Sequence, residues 1–204
     1  MPRRFASDRL VVATHNAGKA AELAALLAPY RVRIVSHGEL GLPIPDETGT
    51  TFLDNAELKA RAAAASTGLP ALADDSGIGV EALGGQPGIH TADWGGPGRD
   101  WLLAMQRVQE ELDRRGVPAT AEARRAAFIC ALALCWPDGH CERFLGRMPG
   151  HVTWPPRGVF GHGYDPMFVP EGHGLTFAEM TPEAKNAVSH RADAFRQLVA
   201  ACFA

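Results

Sequence analysis

The sequence predicts an α/β fold, and three stretches carry that reading. Residues 9–13 (R-L-V-V-A) form a short β-type run, followed by a small polar loop and a helical stretch over 20–28. Residues 52–66 form an alanine-rich helical stretch that leads into apolar β-type residues around two adjacent acids, Asp74 and Asp75. Residues 124–136 read as one long, centrally buried strand, which Pro137-Asp138-Gly139 turns into a partner over 140–146.

The chain has 204 residues, which allows one large domain or two small lobes and a sizeable core. With 46% apolar residues, 21% charged residues and a net charge of −3, it carries no nucleic-acid footprint and no membrane-surface patch. Residues 1–8 hold two arginines without the apolar stretch of a signal peptide, and the longest apolar run, 126–136, is too short to span a bilayer. The four cysteines, Cys130, Cys135, Cys141 and Cys202, have neither C-x-x-C spacing nor the density of a disulfide framework. Reduced, buried thiols in a cytoplasmic protein are expected.

Each element has a local justification. After the first strand, Thr14-His-Asn-Ala-Gly-Lys19 breaks the run, and Leu23, Leu26, Leu27 and Tyr30 then recur at helical spacing until Pro29 ends the helix. Strand, small polar loop with a lysine, then helix can present backbone N–H groups and a positive helix end to phosphate. It also fits a plain βα turn with a solvated lysine. It is not a Walker loop, because the first glycine is missing and Ala20 follows Gly18-Lys19. Residues 32–36 form a second strand, followed by a loop over 38–45. Thr51 and Asp54 fit a capping box at the head of the helix over 52–66, and Gly68 and Pro70 close it. Asn55 and Lys59 lie four apart on one face of that helix, a spacing that also suits a solvated surface.

Beyond the acidic pair, Gly84-Gly85-Gln-Pro87-Gly88 and Gly95-Gly96-Pro97-Gly98 mark a long loop. Asp100 caps a helix whose Trp101, Met105, Val108 and Leu112 form a core stripe, ending near Gly116. A Pro- and Gly-rich loop over 154–166 leads to a short strand over 167–169. Thr181-Pro182-Glu183 opens the last helix with proline at its first position. Its first half is crowded with Lys185, Asn186, Ser189, His190 and Arg191, either a solvated face or, with Ser189 as a cap, a second helix after a break.

Two acids between buried flanks are costly to desolvate unless a cation or hydrogen-bond donors meet them. Magnesium beside a phosphorylated substrate meets that need. So does a simple turn at Asp74-Asp75-Ser76-Gly77.

Four stretches taken together resemble the inosine triphosphate pyrophosphatase family, enzymes that act on non-standard purine nucleoside triphosphates. They are A-T-H-N-A-G-K (13–19), E-T-G-T-T-F-L-D-N-A-E-L-K-A (47–60), A-D-D-S-G-I-G-V-E-A-L-G-G-Q-P-G (73–88), and G-Y-D-P-M-F through K-N-A-V-S-H-R (163–191). The resemblance runs in order from about Leu10 to the C-terminus. It implies a long, mixed, curved central sheet flanked by helices, in a single domain over 1–204 with two lobes and an active-site cleft between them. It also implies a homodimer, Mg²⁺, and hydrolysis of ITP, dITP or XTP to the monophosphate and pyrophosphate.

Residue by residue, the resemblance makes Asp75 the group that activates water and contacts magnesium, with Glu47 as a second metal carboxylate and Asp74 as a further one. Thr14, His15, Asn16, Ala17, Gly18 and Lys19 would hold the triphosphate, with Lys59 adding charge and Ser76 a hydrogen bond. His162, Gly163, Tyr164 and Asp165, with Lys185, His190 and Arg191, correspond to the nucleoside end. A 6-keto purine offers an acceptor where adenine offers a donor, so arginine and lysine donors there select against ATP.

Two positions depart from the family. His162 stands where the family has a phenylalanine, with Phe160 nearby as a substitute platform, and Thr91-Ala-Asp93-Trp94 replaces S-A-R-Y. Competing readings are a pyrophosphatase for modified pyrimidines, which the Lys185 to Arg191 cluster opposes, and a non-catalytic nucleotide sensor, which the intact Lys19, Glu47 and Asp75 oppose. A zinc site from His140, His151, His162, His173 and Cys141 matches no ligand spacing.

Overall fold

The computed structural model describes residues 1–14, 16–36, 40–41 and 45–203, and the side chain of Ala17 is outside the described set. Most of the loop expected over 38–45 therefore lies outside the described residues, as does His15. The elements are β1 (Arg9–Val12), α1 (Ala17–Leu27), β2 (Arg33–Ser36), α2 (Phe52–Thr67), β3 (Ala71–Val80), α3 (Trp101–Arg114), β4 (Arg125–Cys135), β5 (Cys141–Val152), β6 (Phe168–Pro170), α4 (Pro182–Val188) and α5 (His190–Leu198). The strands form one mixed sheet in the order β2-β1-β3-β4-β5-β6. β1 pairs parallel with both β2 and β3, while β5 pairs antiparallel with β6. The α/β expectation holds.

Local chemistry sets the helix starts. Asn16 caps α1 by accepting from Lys19 N at 3.1 Å. Thr51 and Asp54 make the reciprocal capping box of α2, and Gly68 ends that helix in the left-handed region that glycine tolerates. Asp100 caps α3, and Thr181 with Pro182 opens α4.

The chain forms two compact units, each with its own apolar core. The first comprises 1–75, 130–146 and 192–204. Its core gathers Leu10 and Val12 of β1, Leu23 and Leu27 of α1, Leu72, Leu132 and Leu134, with Phe195 and Leu198 of α5. The second comprises 76–129 and 147–191. Ile78 and Val80, the α3 stripe Met105, Val108 and Leu112, and Phe128, Phe168 and Phe177 build its core.

Three expectations are corrected, and one alternative left open is decided. Asp74-Asp75 does not sit in a turn: β3 runs unbroken through both acids. Lysines satisfy the two carboxylates, so the chain has no need to leave the sheet there. β5 reaches Val152 rather than stopping near Gly146, because pairing with β6 continues through Gly150↔Pro170, His151↔Val169 and Val152↔Phe168. The last helix breaks at Ser189, whose extended backbone separates α4 from α5. Finally, Cys135 and Cys141 form a disulfide, while Cys130 and Cys202 are buried thiols outside it. The hairpin explains the bridge. Trp136 N donates to His140 O at 2.9 Å, which sets the residues just outside that pair opposite each other.

Candidate active site

In the first unit the topology selects one end of the sheet. The chain leaves β1 for β2 on one side, and β3 then adds on the other side, so the carboxyl ends of β1 and β3 lie at a switch point of parallel strands. Ligand sites of open α/β sheets occupy such points. The register Val11↔Ala71 and Val12↔Leu72 carries Thr14 and the loop into α1 toward Asp74 and Asp75.

That end holds two buried carboxylates, each facing a lysine. Lys19 Nζ lies 3.2 Å from Asp74 Oδ2, and the Asp74 side chain is wholly buried. Lys59 Nζ lies 2.7 Å from Glu47 Oε1 and 3.7 Å from Asp75 Oδ1. Asn55 Nδ2 donates to Asp75 Oδ2 at 3.2 Å, and its own Oδ1 accepts from Gly49 N at 2.8 Å. A Cβ on Gly49 would collide with Asn55, so glycine is what lets this backbone approach. The i,i+4 spacing of Asn55 and Lys59 thus aims both at Asp75 rather than at solvent.

Burial pushes the Asp75 carboxyl above its ordinary value, while the ammonium groups of Lys59 and Lys19 pull it back. Burial also opposes the charge of Lys59, but Asp75, Glu47 and Asp74 outweigh it and hold the ammonium above its usual value. In the same loop Thr14 Oγ1 accepts from Asn16 N at 3.2 Å, Gly18 is exposed, and Ala17 opens α1.

Magnesium takes hard oxygen ligands, often one or two carboxylates beside substrate phosphates. Asp75 and Glu47 meet that description, because both already converge on one cationic group, Lys59. Asp74 is committed to a different cation, Lys19. Among the described residues no group of three or more His, Cys, Asp or Glu side chains is placed to hold a metal by itself. The donor set therefore fits a cation completed by substrate oxygens rather than an all-protein cage.

The second unit holds the other set. Lys185 Nζ meets Asp165 Oδ2 at 2.8 Å with both side chains buried, and His162 N donates to the same oxygen at 2.7 Å. Arg191 Nη2 donates to Ser76 Oγ at 3.2 Å. His190 is buried and stacks on Phe128, ring centroids 4.8 Å apart. Tyr164 is buried too. Burial raises its phenol, whose O–H donates to Thr91 O at 3.0 Å. The cluster read as a solvated face is thus an internal one: Lys185, Ser189, His190 and Arg191 are all 5% exposed or less. Gly163 lies in the left-handed region, and a Cβ there would reach only ordinary contact with the Trp101 ring. His162 is half-buried, and Phe160 is exposed.

Sequence reasoning left Asn55 and Thr91 out of the site. The spacing to Lys59 could have flagged Asn55, whereas no local signal marks Thr91.

The comparisons with known proteins agree with one another. The Ham1 family profile matches residues 10–201. A dITP/XTP pyrophosphatase of Rhodospirillum centenum is 58% identical, over 100% of this chain and 98% of that protein. The dITP/XTP pyrophosphatase of Ruegeria pomeroyi is 54% identical, over 100% and 99%. Among solved structures, a HAM1 protein from Coxiella burnetii superposes with a TM-score of 0.86 at 38% identity, covering 94% of this chain and 96% of that one.

Proposed function

The chain belongs to the Ham1 family, and on that premise we propose that it hydrolyses non-standard purine nucleoside triphosphates (ITP, dITP, XTP) to the nucleoside monophosphate and pyrophosphate. The observation that carries the reading is the pair of adjacent buried acids, Asp74 and Asp75, each facing a lysine at the switch point of the sheet. Water attack on a phosphoanhydride needs a base, cationic charge at the phosphates, and positioning.

Asp75 is the base. A carboxyl raised by burial accepts a proton more readily than a solvated one, and Lys59 opposes that rise by favouring the charged form. Asn55 fixes which oxygen faces the water by occupying Oδ2. Asp75 and Glu47 are the metal carboxylates, with Asp74 behind them. Bound Mg²⁺ would supply charge neutralisation at the triphosphate. Lys19 and Lys59 add positive charge, and the start of α1, with Thr14, His15, Asn16, Ala17 and Gly18, offers hydrogen bonds to phosphate oxygens.

The base is read by the second unit through His162, Gly163, Tyr164, Asp165, Lys185, His190 and Arg191, and Ser76 adds a hydrogen bond to the substrate. Cationic donors there suit a 6-keto acceptor and leave the adenine 6-amino group unmatched. We take residues 1–204 as a single pyrophosphatase domain acting as a homodimer in the cytoplasm; no helix among the described residues is long and apolar enough to cross a membrane.

Phosphorus NMR of the products tests the reaction. With ITP and Mg²⁺ the expected products are IMP and pyrophosphate, and chelation of the metal stops their formation. IDP with inorganic phosphate would place cleavage at the wrong bond. Tight nucleotide binding without turnover would favour the sensor reading.

A further inference from the structure

We propose that Thr91 is a positioning residue that fixes the nucleoside end by tying Ser76 to the Tyr164-Asp165 segment. The proposal rests on the function proposed above and goes beyond it, because Thr91 itself contacts no substrate in that scheme. The side chain is buried, and its hydroxyl both accepts and donates. It accepts from Ile78 N at 3.1 Å and donates to Gly88 O. The backbone of the same residue is equally committed, with Thr91 N donating to Gly88 O at 3.1 Å and Thr91 O accepting the Tyr164 phenol at 3.0 Å.

These bonds join two groups of polar side chains. On one side, the held amide of Ile78 lies two residues after Ser76, the acceptor of Arg191. On the other, Tyr164 precedes Asp165, which receives both Lys185 and the amide of His162. Between them stands Gly77, where a Cβ would collide with the Thr91 hydroxyl and with Gly88 O. A glycine kept free of side chain so that a hydroxyl can reach the next amide marks a built contact rather than a loop passing by. A buried amide that loses its acceptor carries its full desolvation penalty, so the hydroxyl, not merely the volume, sets the position of β3 here.

The test compares Thr91→Val, which keeps the shape and removes the hydroxyl, with Thr91→Ser, which keeps the hydroxyl. Pyrophosphate release from dITP with Mg²⁺ gives KM and kcat separately, and thermal unfolding is followed on the same samples. Thr91→Val is expected to raise KM about tenfold while kcat changes by less than about threefold, the signature of lost substrate positioning. Thr91→Ser is expected to restore KM to within about twofold of wild type, because the hydroxyl is retained. Wild-type KM in folded Thr91→Val, or Thr91→Ser impaired as badly as Thr91→Val, would overturn the assignment. If Thr91→Val does not fold, Gly77→Ala decides, because a Cβ there would push the Thr91 hydroxyl off the Ile78 amide without touching a residue assigned to substrate. A raised KM supports the proposal and an unchanged one rejects it. Wild-type protein that releases no pyrophosphate from dITP defeats the proposed function first, and this inference with it.

Discussion

Lys59 Nζ lies 3.7 Å from Asp75 Oδ1 and 2.7 Å from Glu47 Oε1, so one ammonium is shared by two carboxylates from different parts of the chain. Asp75 is held between opposing influences, burial that favours its neutral form and lysines that favour its charged form. Asp75→Asn keeps the shape and the contact with Asn55 but removes the proposed proton acceptor. Turnover is expected to fall by about 10²–10⁴-fold, the usual contribution of a general base, with the unfolding midpoint near that of wild type. Near-normal pyrophosphate release from this variant would show that another group takes the proton.

The pair Lys185–Asp165 differs in being buried on both sides, 7% and 3% exposed at the side chains. Removing one partner strands a charge in the core. Lys185→Met is expected to cost about 3 kcal/mol of stability, and adding Asp165→Asn to recover part of that loss. Additive losses in urea unfolding would mean that the two side chains do not depend on each other.

The hairpin end supplies a pH dependence. Burial alone would raise Glu142, but hydrogen bonds from the His140 ring and from Arg3 N hold it below the ordinary 4.5. A carboxylate depressed in the folded state contributes stability that is fully present above its unfolded value and is lost as pH falls through the folded one. Glu142→Gln should therefore flatten the decline of the urea midpoint below pH 4.5. Identical acid limbs in both proteins would remove Glu142 from the account.

Thiol counting checks the cysteines. Burial pushes the Cys202 thiol up to about 11, so at neutral pH it is protonated and shielded. Native protein should react negligibly with a thiol reagent. Unfolded, unreduced protein should show two thiols, Cys130 and Cys202, and unfolded, reduced protein all four. Four thiols without reductant would mean that Cys135 and Cys141 are not bridged.

What the sequence made legible is what is decided locally. The caps Thr51, Asp54, Asp100 and Thr181 act within three residues of themselves, and the structure uses each as expected. The acidic pair was harder, because a turn and a strand differ there only in whether cations arrive from elsewhere. Lys19 and Lys59 do arrive, through the parallel pairing of β1 with β3 and through the Asn55–Lys59 face of α2. Thr91 was illegible because its partners lie 13 and 73 residues away, at Ile78 and Tyr164. The disulfide was missed because spacing rules look for C-x-x-C, whereas a hairpin pairs cysteines six residues apart. The four motif stretches nonetheless placed the chain in the right family, since the matching residues extend over 10–201.

The central claim is tested most directly by kcat/KM for pyrophosphate release from ITP, dITP, XTP, GTP, ATP and dUTP, each with Mg²⁺ and with chelator. The account predicts strong, metal-dependent release from ITP, dITP and XTP, and poor release from ATP, GTP and dUTP. Equal rates across all six would contradict the base-reading role given to the second unit, and no release from any would contradict the chemistry given to Asp75.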